Sequence, residues 1–305
     1  MDERGADGRE ALAARFEAQR GLLRAVAHRM LGSLDEADDA VQEAWIRLCR
    51  IDAGEVDNLA GWLRTVVTRI CLDMLRSRRS RREDLAEQQV LDQASGSPQG
   101  RAPAGPEDEA LLADSVSRAL LVVLDTLEPV ERIAFVLHDM FAVPFSEIAP
   151  LVERTPVTTK KIASRARRKV RGTPVVPAAE LTRQRQVVSA FLAAARAGDL
   201  TAILAVLAPD VVRRADPFAV PPGGVAEARG ARNVAEGTAA LAHRSQLAEP
   251  ALVNGTVGAV VAPHGRLLFA LTFTIEFSVA GDRITAYDVI AAPAGLRRLS
   301  IAVLN

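Results

Sequence analysis

Cysteine is nearly missing from this chain. Cys49 and Cys71 are the only two, each inside a helical pattern and without C-x-x-C spacing. That excludes a disulfide scaffold, and both read as buried, reduced thiols. The four histidines, His28, His138, His243 and His264, are far apart and suggest no metal set. Aromatic residues make up only 4% of the sequence. No apolar run is long enough to cross a membrane. The opening "MDERGADGRE" has no apolar signal region, so the chain reads as cytoplasmic. None of these patterns asks for a cofactor.

Net charge is absent as well, with 38 Lys and Arg against 38 Asp and Glu. The neutral sum conceals sorting. Residues 64 to 82 carry Arg64, Arg69, Arg76, Arg78, Arg79, Arg81 and Arg82 against the single acid Asp73. Residues 35 to 43 carry Asp35, Glu36, Asp38, Asp39 and Glu43 and no base. Basic and acidic elements kept apart in this way argue for more than one kind of partner.

What is present is a chain of 305 residues, 49% hydrophobic, long enough for two or three domains. Residues 1–86 read as helices throughout. In "NLAGWLRTVVTRICLDMLRSRR" the residues Leu59, Trp62, Leu63, Val66, Val67, Ile70, Cys71, Met74 and Leu75 fall at the spacing of one buried helix face. Thr65, Thr68, Arg69 and Arg76 lie towards the opposite side, and Asn58 is placed to cap the helix. Residues 87–109, rich in Gly, Pro, Gln and Ser, read as a flexible linker. Residues 110–172 are helical again. There "PFSEIAPLVERTPVTTKKIASRARRKV" gives a short helix, a break and a longer basic helix capped by Thr155, a helix-turn-helix pattern. After a second joint at 173–180, residues 181–305 change character. "RQVVSAFLAAARAGDLTAILAVLAPDVV" reads as two helices, "NVAEGTAALAHRSQ" as a third, and alternating runs such as Leu271 to Ser278 as strands, with "AGDR" as a hairpin turn. The fold class is therefore two all-α domains followed by an α+β domain with helices on one face of a sheet.

The stretch "TTKKIASRARRKVR", Thr158 to Arg171, holds seven Lys or Arg and no acid. On a helical wheel Thr159, Ile162, Ala163, Ala166 and Val170 form an apolar seam. Val157, Lys160, Lys161, Ser164, Arg168 and Arg171 face away, flanked by Arg165 and Arg167. A solvated basic face is one reading. The helix-turn-helix lead-in favours the other, a helix for the major groove, with Val157, Thr158 and Lys161 near base edges and the later arginines on phosphates.

Taken together these stretches resemble regions 2 and 4 of bacterial sigma factors, the extracytoplasmic-function (ECF) group above all. "RMLGSLDEADDAVQEAWIRL" is similar to regions 2.1–2.2, "NLAGWLRTVVTRICLDMLRSRRSRRE" to regions 2.3 and 2.4, and "LEPVERIAFVLHDMFAVPFSEIAPLVERTPVTTKKIASRARRKV" to region 4. The resemblance implies core RNA polymerase and promoter DNA as partners. Asp38, Asp39, Gln42, Glu43 and Arg47 would dock on the β′ clamp helices, and region 4 on the β flap. The segment Asp57 to Thr68 would lie at the melted minus-10 element, with Asn58, Arg64, Thr68 and Arg69 as a wall and Arg76, Arg78 and Arg79 on phosphates. Val157, Thr158, Lys160, Lys161, Ser164, Arg165 and Arg168 would hold the minus-35 element. Residues 181–305 resemble the SnoaL-like branch of the NTF2-like fold, a cone with an apolar pocket. Asp216, His243, Glu276 and Tyr287 are its polar candidates, with no spacing that makes an acid–base pair, so no catalytic residues are assigned. In this reading the third domain regulates by an intramolecular contact with the sigma domains. A stand-alone helix-turn-helix regulator and a SnoaL-type enzyme are the rival readings.

Overall fold

The computed structural model describes residues 3–51, 58–89, 118–279 and 281–304. Most of the expected linker, and Asp57, lie outside them. The described chain divides into two compact units. One gathers the first three helices with residues from Leu127 to Arg167. The other gathers the helix before Leu127 with everything from Arg168 onward.

The first unit starts with α1 (Glu3–Leu31), α2 (Leu34–Leu48) and α3 (Leu59–Gln89). Ser33, in extended conformation, caps α2 by accepting the Glu36 N–H at 3.4 Å. Asn58 caps α3 in the same way, its Oδ1 accepting the Gly61 N–H at 2.9 Å. Leu34, Ala37, Val41, Ala44 and Leu48 form the inward stripe of α2. α3 packs against both α1 and α2. Two neighbours widen its buried arc beyond one stripe, so Thr68 and Leu72 join Leu63, Val67, Ile70, Cys71 and Leu75 in the core. Burial pushes the Cys71 thiol up to about 12. Cys49, expected to be buried too, is exposed, because it caps the end of α2.

The helix α4 (Arg118–Asp125) belongs to the second unit. Back in the first, α5 (Pro129–Phe135) starts with a capping box between Glu128 and Glu131 and runs on as a π turn, Val136–Met140. Arg132, only 3% exposed, donates to the Met30 carbonyl at 2.9 Å and ties α5 to the end of α1. Then come α6 (Phe145–Leu151) and α7 (Pro156–Arg171), the boundary between the units falling at Arg167 in α7.

The second unit continues with α8 (Ala178–Ala197), α9 (Leu200–Val206), β1 (Leu207–Ala215), β2 (Glu227–Arg229), α10 (Ala231–Ala240), α11 (Ala242–Ser245), β3 (Ala248–Val253) and β4 (Thr256–Val261). β5 (Phe269–Glu276), β6 (Arg283–Ile290), α12 (Pro293–Leu296) and β7 (Ile301–Ala302) complete it. The strands form one sheet in the order β2-β1-β6-β5-β4-β3-β7, with β1 and β6 parallel and the other pairs antiparallel. The meander β3 to β6 is as expected. The end of "AILAVLAPDVV" is not helix: from Leu207 it is strand, where Val211 and Val212 suit a pleated surface beside β6. Val188, Phe191 and Leu192 of α8 pack on Leu207, Val211, Ala259 and Ile284, the core of this domain.

The second joint is packed chain. Val175 donates its N–H to Gly255 at 2.9 Å, and Val303 donates to Val170 at 2.9 Å. Gly172 has φ +60, and a Cβ there would stand 2.4 Å from Cβ of Ala302. Gly172→Val meets both the wrong backbone region and a filled space, so it should lower unfolding free energy by about 1–3 kcal/mol. Urea denaturation measures it, and an unchanged midpoint would show the junction to be loose.

Candidate nucleic-acid and polymerase interfaces

The start of α7 is fixed by three threonines. Thr155 accepts the Thr158 N–H at 3.2 Å, its hydroxyl lies 2.9 Å from that of Thr158, and Thr159 donates to the Thr155 carbonyl at 2.9 Å. The turn from α6 passes through Glu153 at φ 54, a left-handed position. Of the expected seam, Thr159, Ala163 and Ala166 are fully buried and Val170 nearly so, while Ile162 is half-buried. That seam leaves Val157, Lys160, Lys161, Ser164, Arg165 and Arg168 exposed. Among the described residues no acid pairs with Lys160, Lys161, Arg165 or Arg168, whereas Arg167 is held bidentate by Asp139 at 2.6 and 3.1 Å. Donating to the Asp139 carboxylate raises the Arg167 pKa further. A row of unneutralised cations beside an exposed valine (67%) can meet phosphates along its length and a base methyl at its start.

The candidates on α3 divide. Arg69 and Arg76 are exposed. Arg64 pairs with Glu147 of α6, and Arg79 with Glu128 at the start of α5. Arg78 reaches Glu36 at 3.1 Å and the Leu31 carbonyl at 2.9 Å, so it closes the end of α1. Asn58 is occupied as a cap. Thr68 is fully buried, and its hydroxyl has no hydrogen-bond partner among the described residues. Its place in a minus-10 wall is therefore corrected: the packing of both α1 and α2 on α3 puts position 68 inside.

α2 turns Asp39, Gln42, Glu43 and Arg47 outward next to the partly exposed Ile46. Glu43 and Arg47 pair at 2.8 Å, and Asp38 is engaged by Arg24 at 2.7 Å. Trp45 leans on Phe16 with ring centroids 4.9 Å apart. An acidic face with an apolar edge suits a reversible protein interface.

In the third domain Tyr287 lines a cavity; Asp216, His243 and Glu276 do not. His243 and Glu276 are exposed. Asp216 accepts from the N–H groups of Ala291 and Ala292 at 2.7 Å and of Phe218 and Ala219 at 3.0 and 3.1 Å, which fixes the loop after β1. Burial pushes its carboxyl up, but those four donors outweigh it and hold the carboxyl below its ordinary value. The cavity's charged residues are Arg213 and Arg244. A search for acids and histidines passes over them, although the Arg213-Arg214 pair in a β-rich run was a visible signal.

The family model "Sigma-70 region 2" matches residues 15–81, and "Sigma-70, region 4" matches residues 117–170. The chain is 35% identical over 290 residues to the probable ECF RNA polymerase sigma factor SigI of Mycobacterium tuberculosis, covering 93% of this chain and 94% of that protein. It is 37% identical over 256 residues to SigJ, an ECF RNA polymerase sigma factor of the same organism, covering 81% and 80%. The crystal structure of M. tuberculosis SigJ aligns over 93% of this chain and 98% of its own, with 30% identity and a TM-score of 0.44.

Two outcomes test these placements. Thr68→Val removes an unsatisfied buried hydroxyl at nearly constant volume, so stability should hold or rise by about 1 kcal/mol; a loss would mean the hydroxyl has a partner. Asp216 has a depressed folded pKa, so its contribution is present above the ordinary carboxylate value of 3.8 and disappears as pH falls through the folded one. The stability gap to Asp216→Asn should be open at pH 7 and narrow below pH 3.8. A pH-independent gap would remove this role.

Proposed function

The chain belongs to the extracytoplasmic-function sigma factors of RNA polymerase, and we propose that it does the family's work through the two charged faces described above. It joins core RNA polymerase and directs promoter-specific initiation in the cytoplasm, the polymerase carrying out the chemistry. The outward face of α2, with Asp39, Gln42, Glu43 and Arg47, docks on the β′ clamp helices. The helix-turn-helix sits on the β flap and lays α7 into the major groove of the minus-35 element. Arg69 and Arg76 follow the minus-10 strand, joined by Arg64 and Arg79 once their acidic partners release them. The observation that carries this reading is the open cation row of α7, where Lys160, Lys161, Arg165 and Arg168 are exposed with no acidic partner among the described residues and so are free to meet phosphates.

The third domain regulates by holding α4. That helix lies in the stretch matched by the region 4 model, yet its wall is the C-terminal sheet. Ala119 is fully buried with Ala251, Val253 and Val260, and Arg118 pairs with Glu249 at 3.0 Å, both half-buried. Releasing or tightening α4 alters the domain that reads the minus-35 element.

Run-off transcription with core polymerase tests the whole, on a template carrying the region upstream of this protein's own gene. Lys161→Ala and Arg165→Ala should each weaken promoter binding by the holoenzyme and lower its salt slope by about one, leaving core affinity intact. Asp39→Arg with Glu43→Arg should do the reverse, abolishing the complex on a sizing column. No transcript and no complex from the unmodified chain would favour a stand-alone DNA-binding regulator. Glu249→Arg, which sets two cations together beside α4, should change transcript yield from a folded chain. Unchanged yield would remove α4 as the point of control.

A further inference from the structure

The C-terminal domain holds a half-open cavity of about 90 Å3. One water requires roughly 10–15 Å3 of such space, so the cavity admits a small organic molecule. Its walls are mostly apolar, with Phe191 of α8, Phe269 and Leu271 of β5, Val261 of β4 and Val289 of β6. The polar groups deepest in the domain satisfy each other. Thr238 donates its hydroxyl to the Val234 carbonyl at 2.8 Å, so the 2.8 Å contact with Tyr287 is donated by the tyrosine. Burial pushes the Tyr287 phenol up from its ordinary value and keeps it neutral.

Two charged side chains remain in the lining, Arg213 from β1 and Arg244 from α11, both half-buried. Arg213 gives an N–H to the Val225 carbonyl at 2.5 Å, and Arg244 one to the Ala219 carbonyl at 3.5 Å. A guanidinium carries five N–H donors, so most of theirs are unspent. Among the described residues neither arginine meets a carboxylate, although Arg214 next along the strand pairs with Glu227 and Asp288. Asp216, three residues along from Arg213, is already taken up by four backbone N–H groups.

We propose that this cavity binds a small apolar carboxylate, its ring or short chain against Phe191 and Leu271 and its carboxylate on Arg213 and Arg244. A cationic ligand would meet two like charges with no acid in the lining. A neutral one would leave both guanidinium groups unanswered. Inorganic phosphate would match the arginines but leave the apolar walls empty. Planar, bidentate recognition of a carboxylate is what an arginine fork does best.

The test is calorimetric titration of the free 305-residue chain with phenylacetate, 2-phenylacetamide and phenethylamine, which share the ring and differ in charge. Phenylacetate should bind at least about tenfold more tightly than the amide, the difference expected of charge-assisted hydrogen bonds, and the amine should not bind. Arg213→Met and Arg244→Met should abolish the preference for the acid while keeping the amide's affinity. If a variant fails to fold, the three-ligand comparison on the unmodified chain still decides. Equal affinity for acid and amide, or no binding of phenylacetate at 10 mM on the order of the weakest ligands worth considering, overturns the proposal. So does acid binding that neither substitution weakens. Binding is read without polymerase, so a failure here leaves the sigma-factor reading standing, and a failure of that reading leaves the site.

Discussion

A short helix with almost no face left for water sets the terms for this protein. α4 has 8 residues and buries Ala119, Leu121, Val122, Val123 and Leu124. Alone it is too short to persist in water, so it exists because something covers it. Each buried Leu or Val is worth about 1.5–3 kcal/mol, far more than α4 can gain from its own backbone hydrogen bonds. Within the second unit the cover is the sheet. Ala119 packs on β3 and β4, and Leu121 comes so close to Gly265 that a side chain there would start 3.0 Å from its Cβ. The Arg118–Glu249 pair sets the register of helix on strand. A piece of the stretch matched by the region 4 model is therefore folded by residues more than a hundred positions away.

Charge follows a second rule: the cations proposed to meet DNA are open or held lightly, and cations that build the fold are held firmly. On α7 the outward row has no acidic partners among the described residues, while Arg167, turned sideways, is gripped by Asp139. On α3 the intermediate case is visible. Arg64 and Arg79 sit on Glu147 and Glu128 in pairs that remain solvent-exposed. Exposed pairs contribute about 0–1 kcal/mol and are weakened by salt, so phosphates can compete for both arginines. Arg132 is different. It is buried and donates to the Met30 carbonyl, out of reach of a competing phosphate.

Local pattern made α7 readable in the sequence because one seam buries it: Thr159, Ala163, Ala166 and Val170 repeat at helical spacing and are buried as read. Thr68 was misread because periodicity assumes a single covered stripe, and α3 is covered from two sides. The joint at 173–180 is legible as a break by its Gly and Pro, but not that Gly172 and Val175 are held by β7 and the β3–β4 hairpin, partners far along the chain. The hairpin itself had a local signal in Asn254-Gly255, whose positive φ values are what a tight two-residue turn needs. α4 was legible as helix, but no local pattern identifies the sheet it rests on.

The pleat of β3 and β4 joins the cavity to α4. Alternate residues of a strand face opposite sides. Ala248 and Val261 line the cavity, while their neighbours Glu249 and Val260 face α4, as do Ala251 and Val253. Nothing but two strands of mostly small residues separates the two. Val257 and Ala259 belong to the core on the cavity side, and Gly258 between them already stands where a Cβ would lie 2.5 Å from the Leu271 carbonyl. Close packing leaves such a layer little room to absorb a displacement on one face without passing it to the other. Filling the cavity bears on the strands that carry Glu249 and Val260, and those residues hold the first helix of the promoter-reading region. If the cavity takes the proposed ligand and α4 is the proposed point of control, the physical route between them is the thickness of one sheet.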